Sequence, residues 1–494
     1  MKYLPHSEKR RIYGSRQSKL RDFMSTSENR THLDRRLTSG QVSMIGLSGA
    51  LGTGLFLGAG STIALAGPAT VISYALAGLC ALAIVWALAE MVSVYPVPGG
   101  HGAIAAHYLG KMGGYVTRWN FSICMLTAVG AEVTATATYL QHWFPGLSLG
   151  AGTVLCSVFI VGLNMATVRL YGGSEYWFSM IKVTAICVFI LLGLSLLLFG
   201  WPAYSEPLGF GHLTEHGGFA PKGLSGILIA ACMAVFSFGG IENVSVGAAE
   251  SEHPERDIPR AAGAMIWRLL IFYVLAVTVV VALQNWQDTA AHTGSVSESP
   301  FVKVLDASGV PAAGHIMNAI LIVAALSAAN GCLYSCSRMI HSLALDKMAP
   351  NFARFTSRHG APRGAVLIAT VGMVIASVLA ICAPDSAFLY LYGCATVSIL
   401  VTWVMVMLTH LRFRKDSSHA QKPPAFLVGS PLVNYLIIAV SVAIFVLLYW
   451  ELPVVWYAGI PYLILLVVSY LVLARSRKLP DPAPLTPFAG VTQS

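Results

Sequence analysis

Stretches of eighteen or more mainly apolar residues recur along the whole chain, and this recurrence limits its fold more than any other feature. As a helix rising 1.5 Å per residue, each stretch is long enough to cross a hydrocarbon layer of roughly 30 Å. Twelve are distinguished, at residues 41–66, 69–93, 114–140, 149–168, 177–200, 224–249, 262–284, 312–342, 365–383, 387–411, 432–450 and 455–474. They are too long for barrel strands, which show segments of about ten residues with alternating polarity. A chain that is 56% hydrophobic and 11% charged also lacks the charge for a water-facing surface. The expected fold is an all-α integral membrane protein of about twelve transmembrane helices. A single transporter domain at residues 41–474 would lie between a basic tail, residues 1–40, and a short tail, residues 475–494.

The net charge of +9 raises the question of nucleic acid, and its distribution answers it. Of 31 Lys and Arg, ten precede residue 41 and sixteen more fall in the tail and loops on the same expected side. The opposite loops hold only Lys222 and Lys303, while Arg118, Lys182 and Arg268 fall within spans. That asymmetry is a topology signal placing both termini in the cytoplasm, and no nucleic-acid partner is inferred. No short apolar core of a signal peptide precedes residue 41, so the basic tail is expected to stay attached; Met24 is an alternative start. The nine cysteines all fall in spans without a C-x-x-C pair and read as buried thiols, with neither disulfides nor a zinc site.

Two spans carry helix-breaking glycine where a regular helix would disfavour it. The first holds Ser48, Gly49, Ala50, Leu51, Gly52, Thr53 and Gly54, followed by Gly58 and Gly60. Close helix packing through the Gly54/Gly58 spacing is the alternative reading. The sixth repeats the pattern in Phe236, Ser237, Phe238, Gly239, Gly240, Ile241, Glu242 and Asn243, now beside a carboxylate. Taking spans 1–5 and 6–10 as two repeats puts each break in the first span of its repeat, and an odd number of crossings inverts the second copy. At such breaks, half-helix N-termini suit a carboxylate and freed carbonyls suit an ammonium, so a zwitterion satisfies both. Phe236 and Phe238 flank the second break as candidate gate residues.

Glu132, Lys182 and Glu242 sit inside apolar spans, where a charged residue costs roughly 2.5–3.5 kcal/mol on insertion scales. Each needs a partner or a change of protonation, which makes all three candidates for substrate or proton handling and, alternatively, for structural pairing. Asn330, Tyr334 and Ser337 follow roughly helical spacing, reading either as the polar side of a cavity or as interhelical hydrogen bonds.

The ordered strings LSGALGTGLFLGAG, AEMVSVYPVPGG, AEVTATATYLQHWFP, GSEYWFSMIK, VFSFGGIEN, AESEHPERDIPRA and SAANGCLYSCSRMI resemble the amino acid transporter family of permeases in the amino acid, polyamine and organocation superfamily. The likeness covers about residues 33–475. It implies a five-plus-five inverted-repeat core with discontinuous first and sixth helices, two peripheral helices, and proton-coupled amino acid uptake by alternating access. It further implies that Ser48 to Gly54 hold the substrate carboxylate, that Phe238 to Glu242 lie near the ammonium and side chain, and that the Lys182 amine stands where sodium-coupled relatives bind a cation. Glu250 to Arg260 match a cytoplasmic motif, and His101 reads as solvated in a cytoplasmic loop.

The function expected is a proton-coupled permease for a neutral amino acid, aromatic or branched, because the Gly239–Gly240 pair would leave room for a side chain. A basic amino acid permease, an exchanger and a membrane-embedded nutrient sensor are the alternatives. No nucleophile–base motif, nucleotide loop or H-E-x-x-H grouping supports an enzyme, and no cofactor or metal site is inferred. The partners expected are an amino acid, protons and the lipid of the cytoplasmic membrane.

Overall fold

A computed structural model describes residues 37–487 apart from 51, 57, 166–167, 202–203, 292–298, 310–311, 358–359, 384–386, 417–422, 452 and 483. The described chain is helical throughout, in nineteen α-helices that follow the apolar stretches. The first crossing is assembled from α1 (Ser39–Ala50), α2 (Thr53–Phe56) and α3 (Gly58–Ala66), and the second is α4 (Thr70–Val94). Gly54–Val94 is one apolar stretch of 41 residues, twice what a single crossing needs. It folds back at Gly67–Pro68–Ala69, where Gly67 takes a left-handed φ of 62° and proline has no N–H to lose.

After a short helix, α5 (Gly100–Tyr108), the next crossings are α6 (Gly110–Gln141), α7 (Leu149–Met165) and α8 (Val168–Phe199). The sixth is broken into α9 (Gly223–Ser237) and α10 (Asn243–Gly247), and the seventh is α11 (Pro254–Leu283). Two short helices, α12 (Trp286–Ala291) and α13 (Pro300–Ala307), lead to α14 (Ala313–Leu345). The remaining crossings are α15 and α16 (Arg363–Ala369 and Val371–Cys382), α17 (Ala387–Lys415), α18 (Leu432–Glu451) and α19 (Pro453–Ser476). Nine stretches are long and apolar enough to span by themselves. Adding the shorter α7 and α9, and counting Gly54–Val94 twice, gives twelve crossings among the described residues.

Packing repeats itself when the first five crossings are exchanged for the next five. α1 lies on α11 as α9 lies on α4, and α6 lies on α17 as α14 lies on α8. α6 also meets α16 as α14 meets α7, with α6 crossing its own counterpart α14 at the centre. Buried residues form 72% of the most apolar window of α6 and 67% of that of α14, but only 28% of that of α18 and 11% of that of α19, so the last two crossings are peripheral. Ile464, Leu465, Leu471 and Val472 of α19 are exposed, an apolar surface suited to hydrocarbon and not to water.

Charged residues on the tail side are held in place. Glu90 is buried and meets Arg414 at 2.5 Å, the Leu427 N–H at 2.8 Å and His410 at 3.1 Å. Arg118, expected inside a span, pairs with Asp346 at 2.7 Å. Lys111 bonds to Leu479 O and Asp481, docking the described part of the final tail on α6. Five of the nine cysteines are buried as expected, Cys80 and Cys187 are half-buried, and Cys382 and Cys394 are exposed, on outward faces of their apolar spans.

Candidate functional site

The two breaks cross in the middle of the protein, glycine on glycine. A Cβ on Gly49 would lie 3.0 Å from Gly240 Cα, and one on Gly240 would lie 2.7 Å from Gly49 Cα. Only residues without side chains let the two backbones meet this closely. Gly240 also takes φ 97°, a conformation L-residues rarely adopt, so two constraints fall on one residue.

The groups released by the second break are satisfied locally. Gly239 N–H donates to Phe236 O at 2.8 Å, and Gly240 N–H donates to Glu242 Oε2 at 3.0 Å. Trp403 Nε1–H, from α17, donates to Glu242 Oε1 at 2.6 Å. Tyr273 OH, from α11, donates to Ser237 O at 2.7 Å, and Ser237 Oγ donates to Gly54 O at 2.7 Å across to the first break. Glu242 is therefore a brace, its two carboxylate oxygens engaged by an indole and a backbone amide.

Beside the crossing lies a cavity of about 20 Å³. Its walls are Gly49, Gly52 and Gly54 from the first break, and Phe236, Ser237, Gly239 and Gly240 from the second. The opposite wall comes from α6 with Met125, Ala128 and Glu132, from α14 with Cys332, and from α17 with Ile399. Gly52 approaches the carboxylate closely: a Cβ there would stand 2.6 Å from Glu132 Oε1. Room on this scale holds about one water, so an amino acid enters only if the walls separate.

Seven expected residues thus meet around one cavity: Gly49, Gly52, Gly54, Phe236, Gly239 and Gly240, with Glu132 from the proton-handling pair. Phe238 does not join them; it is wholly buried, its ring 4.7 Å from that of Tyr273, because the turn at the break points it to α11. Glu242 is also absent from the walls, for the bracing role just described. The room expected from the glycine pair is taken up as well, since Gly240 faces the Gly49 backbone and Gly239 faces Ile399. The side chains of Ser48, Ala50 and Thr53 lie outside those described. Met125, Ala128, Cys332 and Ile399 had no signal in the sequence, being ordinary apolar residues of central helices.

Lys182 stands behind the first break. α8 runs alongside α1 in parallel: Gly172 meets Leu37, Gly40 meets Tyr176, and Ser179 Oγ donates to Met44 O at 3.2 Å. Continuing this register sets Lys182, buried at 1% exposure, beside the last turn of α1 before the break. Glu175 and Glu132 are the carboxylates that interact with it electrostatically. Glu175 is a buried site that sequence reasoning passed over: Ser327 Oγ donates to it at 2.8 Å, and Asn330, itself bonded to Asn164, donates to its other oxygen.

Asn330 and Tyr334 thereby take the interhelical alternative. Tyr334 OH donates to Glu250 Oε2 at 2.7 Å, Arg338 Nε to Glu250 Oε1 at 3.0 Å, and Ser337 Oγ back to Tyr334 O. His101 is corrected from solvated to 1% exposed, with Nδ1 2.6 Å from Ser245 Oγ. Gly99 and Gly100, both at positive φ, turn it inward onto α10, and burial pushes its imidazole down to about 3.

The family model for amino acid permeases matches residues 41–481. The probable threonine/serine transporter YbxG of Bacillus subtilis is 31% identical over 449 residues, covering 90% of this chain and 96% of its own. The gamma-aminobutyric acid permease of the same organism is 36% identical over 389 residues, 79% of this chain and 82% of its own. The aromatic amino acid transport protein AroP of Escherichia coli K12 is 33% identical over 432 residues, 86% and 92% of the two chains.

Proposed function

Since this chain belongs to the amino acid permease family, within the amino acid, polyamine and organocation superfamily, we propose that it takes up a neutral amino acid, aromatic or branched, with protons by alternating access. The observation that carries the proposal is the cavity at the glycine crossing, where the backbone of two broken helices faces one carboxylate and an otherwise apolar wall. Backbone groups of Gly49–Gly54 would read the substrate carboxylate, which every amino acid presents. Met125, Ala128, Ile399 and Phe236 would receive an apolar side chain, in keeping with a relative named for aromatic amino acids. The cavity is shut in this conformation, as alternating access requires of the state between its two openings.

Proton coupling is assigned to Lys182 and Glu132. The register of α8 on α1 sets Lys182 behind the first break while Glu132 lines its front, so a proton moving on or off this pair would change the charge on both sides of the segment proposed to hold the substrate. Charged, the amine would tie α8 to the last turn of α1; neutral, it would release that tie and favour the other access state. The topology proposed keeps residues 1–40 and 475–494 in the cytoplasm as tails of a multi-pass protein of the cytoplasmic membrane. Leu37 N–H bonds to Glu250 O, and Lys111 holds Asp481, so the described ends of both tails dock on segments that the charge asymmetry assigns to the cytoplasmic side.

The test is an uptake panel of labelled amino acids in proteoliposomes, with and without an imposed inward proton gradient. Accumulation of a neutral amino acid only with the gradient is expected; accumulation of lysine or arginine instead would overturn the substrate class. Lys182→Met should still bind substrate but lose gradient-driven accumulation by about tenfold or more, the worth of a pH unit. Normal accumulation in that variant would remove Lys182 from the coupling.

A further inference from the structure

The loop that follows α8 lies at the end of that helix opposite to the one Leu37 touches, on the face that the proposed topology turns outward. It carries His212, Glu215 and His216 within one tight turn. Thr214 N–H and Glu215 N–H both bond to Gly211 O, at 2.9 and 3.0 Å, which sets His212 and Glu215 one turn apart. His216 then takes a left-handed φ of 57°, and Gly217 and Gly218 continue at 103° and 83°. Its carbonyl is held by Trp286 Nε1–H at 3.1 Å. The reversal brings the second imidazole back to the first two groups, and one ligand atom from each of the three residues lies within 4.8 Å of the others. His212 Nδ1 is 3.0 Å from Glu215 Oε2, yet it is shielded from water and makes no aligned hydrogen bond.

Two imidazoles and a carboxylate that converge, with their remaining side open to water, suit a borderline divalent ion such as zinc, whereas magnesium and calcium favour oxygen alone. We propose that His212, Glu215 and His216 form a binding site for a zinc-class divalent ion on the outer face of this protein, completed by water. Bonds of about 2.0–2.2 Å to a tetrahedral ion place ligand atoms roughly 3.3 Å apart. The observed group reaches that by rotating side chains that are about half exposed. The group escapes the H-E-x-x-H pattern because its order is H-x-x-E-H, folded by a 3₁₀ turn and a left-handed residue and not by an α-helix.

The same loop is tied to the top of the first break's helix. Pro221 packs on Gly67, at the turn between α3 and α4, and Trp286 flanks that turn as well as holding His216. An ion that locks residues 212–216 stiffens this strap and slows the outward opening on which uptake depends. The site itself does not rest on the transport reading; only this consequence does.

Zinc titration calorimetry on the purified full chain, carrying an affinity tag without histidine, is the test. One zinc per chain is expected, weakened at least tenfold in His212→Ala and in His216→Ala, and less in Glu215→Gln. The binding should persist in His142→Ala/His315→Ala, which removes the other outer histidine pair, with ring centroids 5.3 Å apart. A wild type that binds no zinc, or a His212→Ala/His216→Ala protein that binds it as the wild type does, overturns the site. In proteoliposomes, external zinc should slow wild-type uptake, EDTA should restore it, and His212→Ala should transport normally and ignore zinc. Zinc bound at these residues with unchanged uptake overturns the strap's role while leaving the site standing.

Discussion

The breaks in the first and sixth crossings look alike as strings of glycine, yet they are built differently. The second is braced by side chains: Trp403 and a backbone amide occupy Glu242, Tyr273 holds Ser237 O, and Tyr74 lies 3.2 Å from Ser237 Oγ. Among the described residues, the first is laid as glycine backbone against Gly240, Asn243, Glu132 and Ser237, and its side-chain hydrogen bond is the one that Gly54 O accepts from Ser237 Oγ of the second break at 2.7 Å. A segment held by indole, phenol and carboxylate can act as a fixed platform, whereas one held by close backbone approach can move when a neighbour's charge changes. On the proposed function, the same motif would serve as anchor in one half and as working part in the other.

The largest effect should follow from closing the crossing itself. Gly240→Val places a β-branched side chain at φ 97° and against the Gly49 backbone, and should cost about 3 kcal/mol or more. Thermal unfolding in detergent should show a large drop together with loss of uptake of every substrate. Near-normal stability in this variant would mean that the two breaks do not touch.

Removing the brace comes next. Trp403→Phe leaves one oxygen of Glu242 without its donor and should cost roughly 1–3 kcal/mol, read as a lower unfolding temperature. The ranking of competing substrates should stay as in the wild type if the second break is a platform. A reordered ranking would make Glu242 part of the substrate site after all.

A subtler change sharpens the contrast from the other side. Gly52→Ala brings a methyl group against the Glu132 carboxylate, which can rotate away, and 3.0 Å from Ala328 Cβ, which must give by a few tenths of an ångström, so the fold should survive with a small loss of stability. Apparent affinity should fall by about tenfold for all amino acids alike if, as proposed, the crowded backbone reads their common carboxylate. Competition with amino acid carboxamides checks the cause: wild-type protein that binds carboxamides as well as the acids would sink the assignment.

The smallest effect expected is that of pH on His101, which couples α5 to α10 just below the second break. Its imidazole, held down to about 3 by burial, stays neutral in the folded protein while the unfolded chain takes up a proton below about 6.5. The contribution of a neutral His101 is therefore intact above pH 6.5 and is lost as pH falls from there toward 3. His101→Gln should flatten the decline of unfolding temperature between pH 7 and 5, and an unchanged decline would place the sensitivity elsewhere.

The sequence by itself determined the crossings, the two breaks and the membership of a permease fold. Apolar length and glycine density are local properties, and a hydrocarbon solvent leaves them few alternative outcomes. It also picked out the buried charges, because an ionisable residue in an apolar span stands out wherever it points. Only the tertiary structure decided what those charges face. Glu242 and Glu132 carry the same signal, but the turn at Gly240 folds one back onto its own backbone while the face of α6 presents the other to the cavity. Met125, Cys332 and Ile399 have no signal at all, since helices far apart in the chain bring them together. His101 reads as a loop residue until two left-handed glycines turn it inward. In each case direction and contact were missing from the sequence, because residue spacing fixes which face of a helix a side chain shares and not which neighbour that face meets.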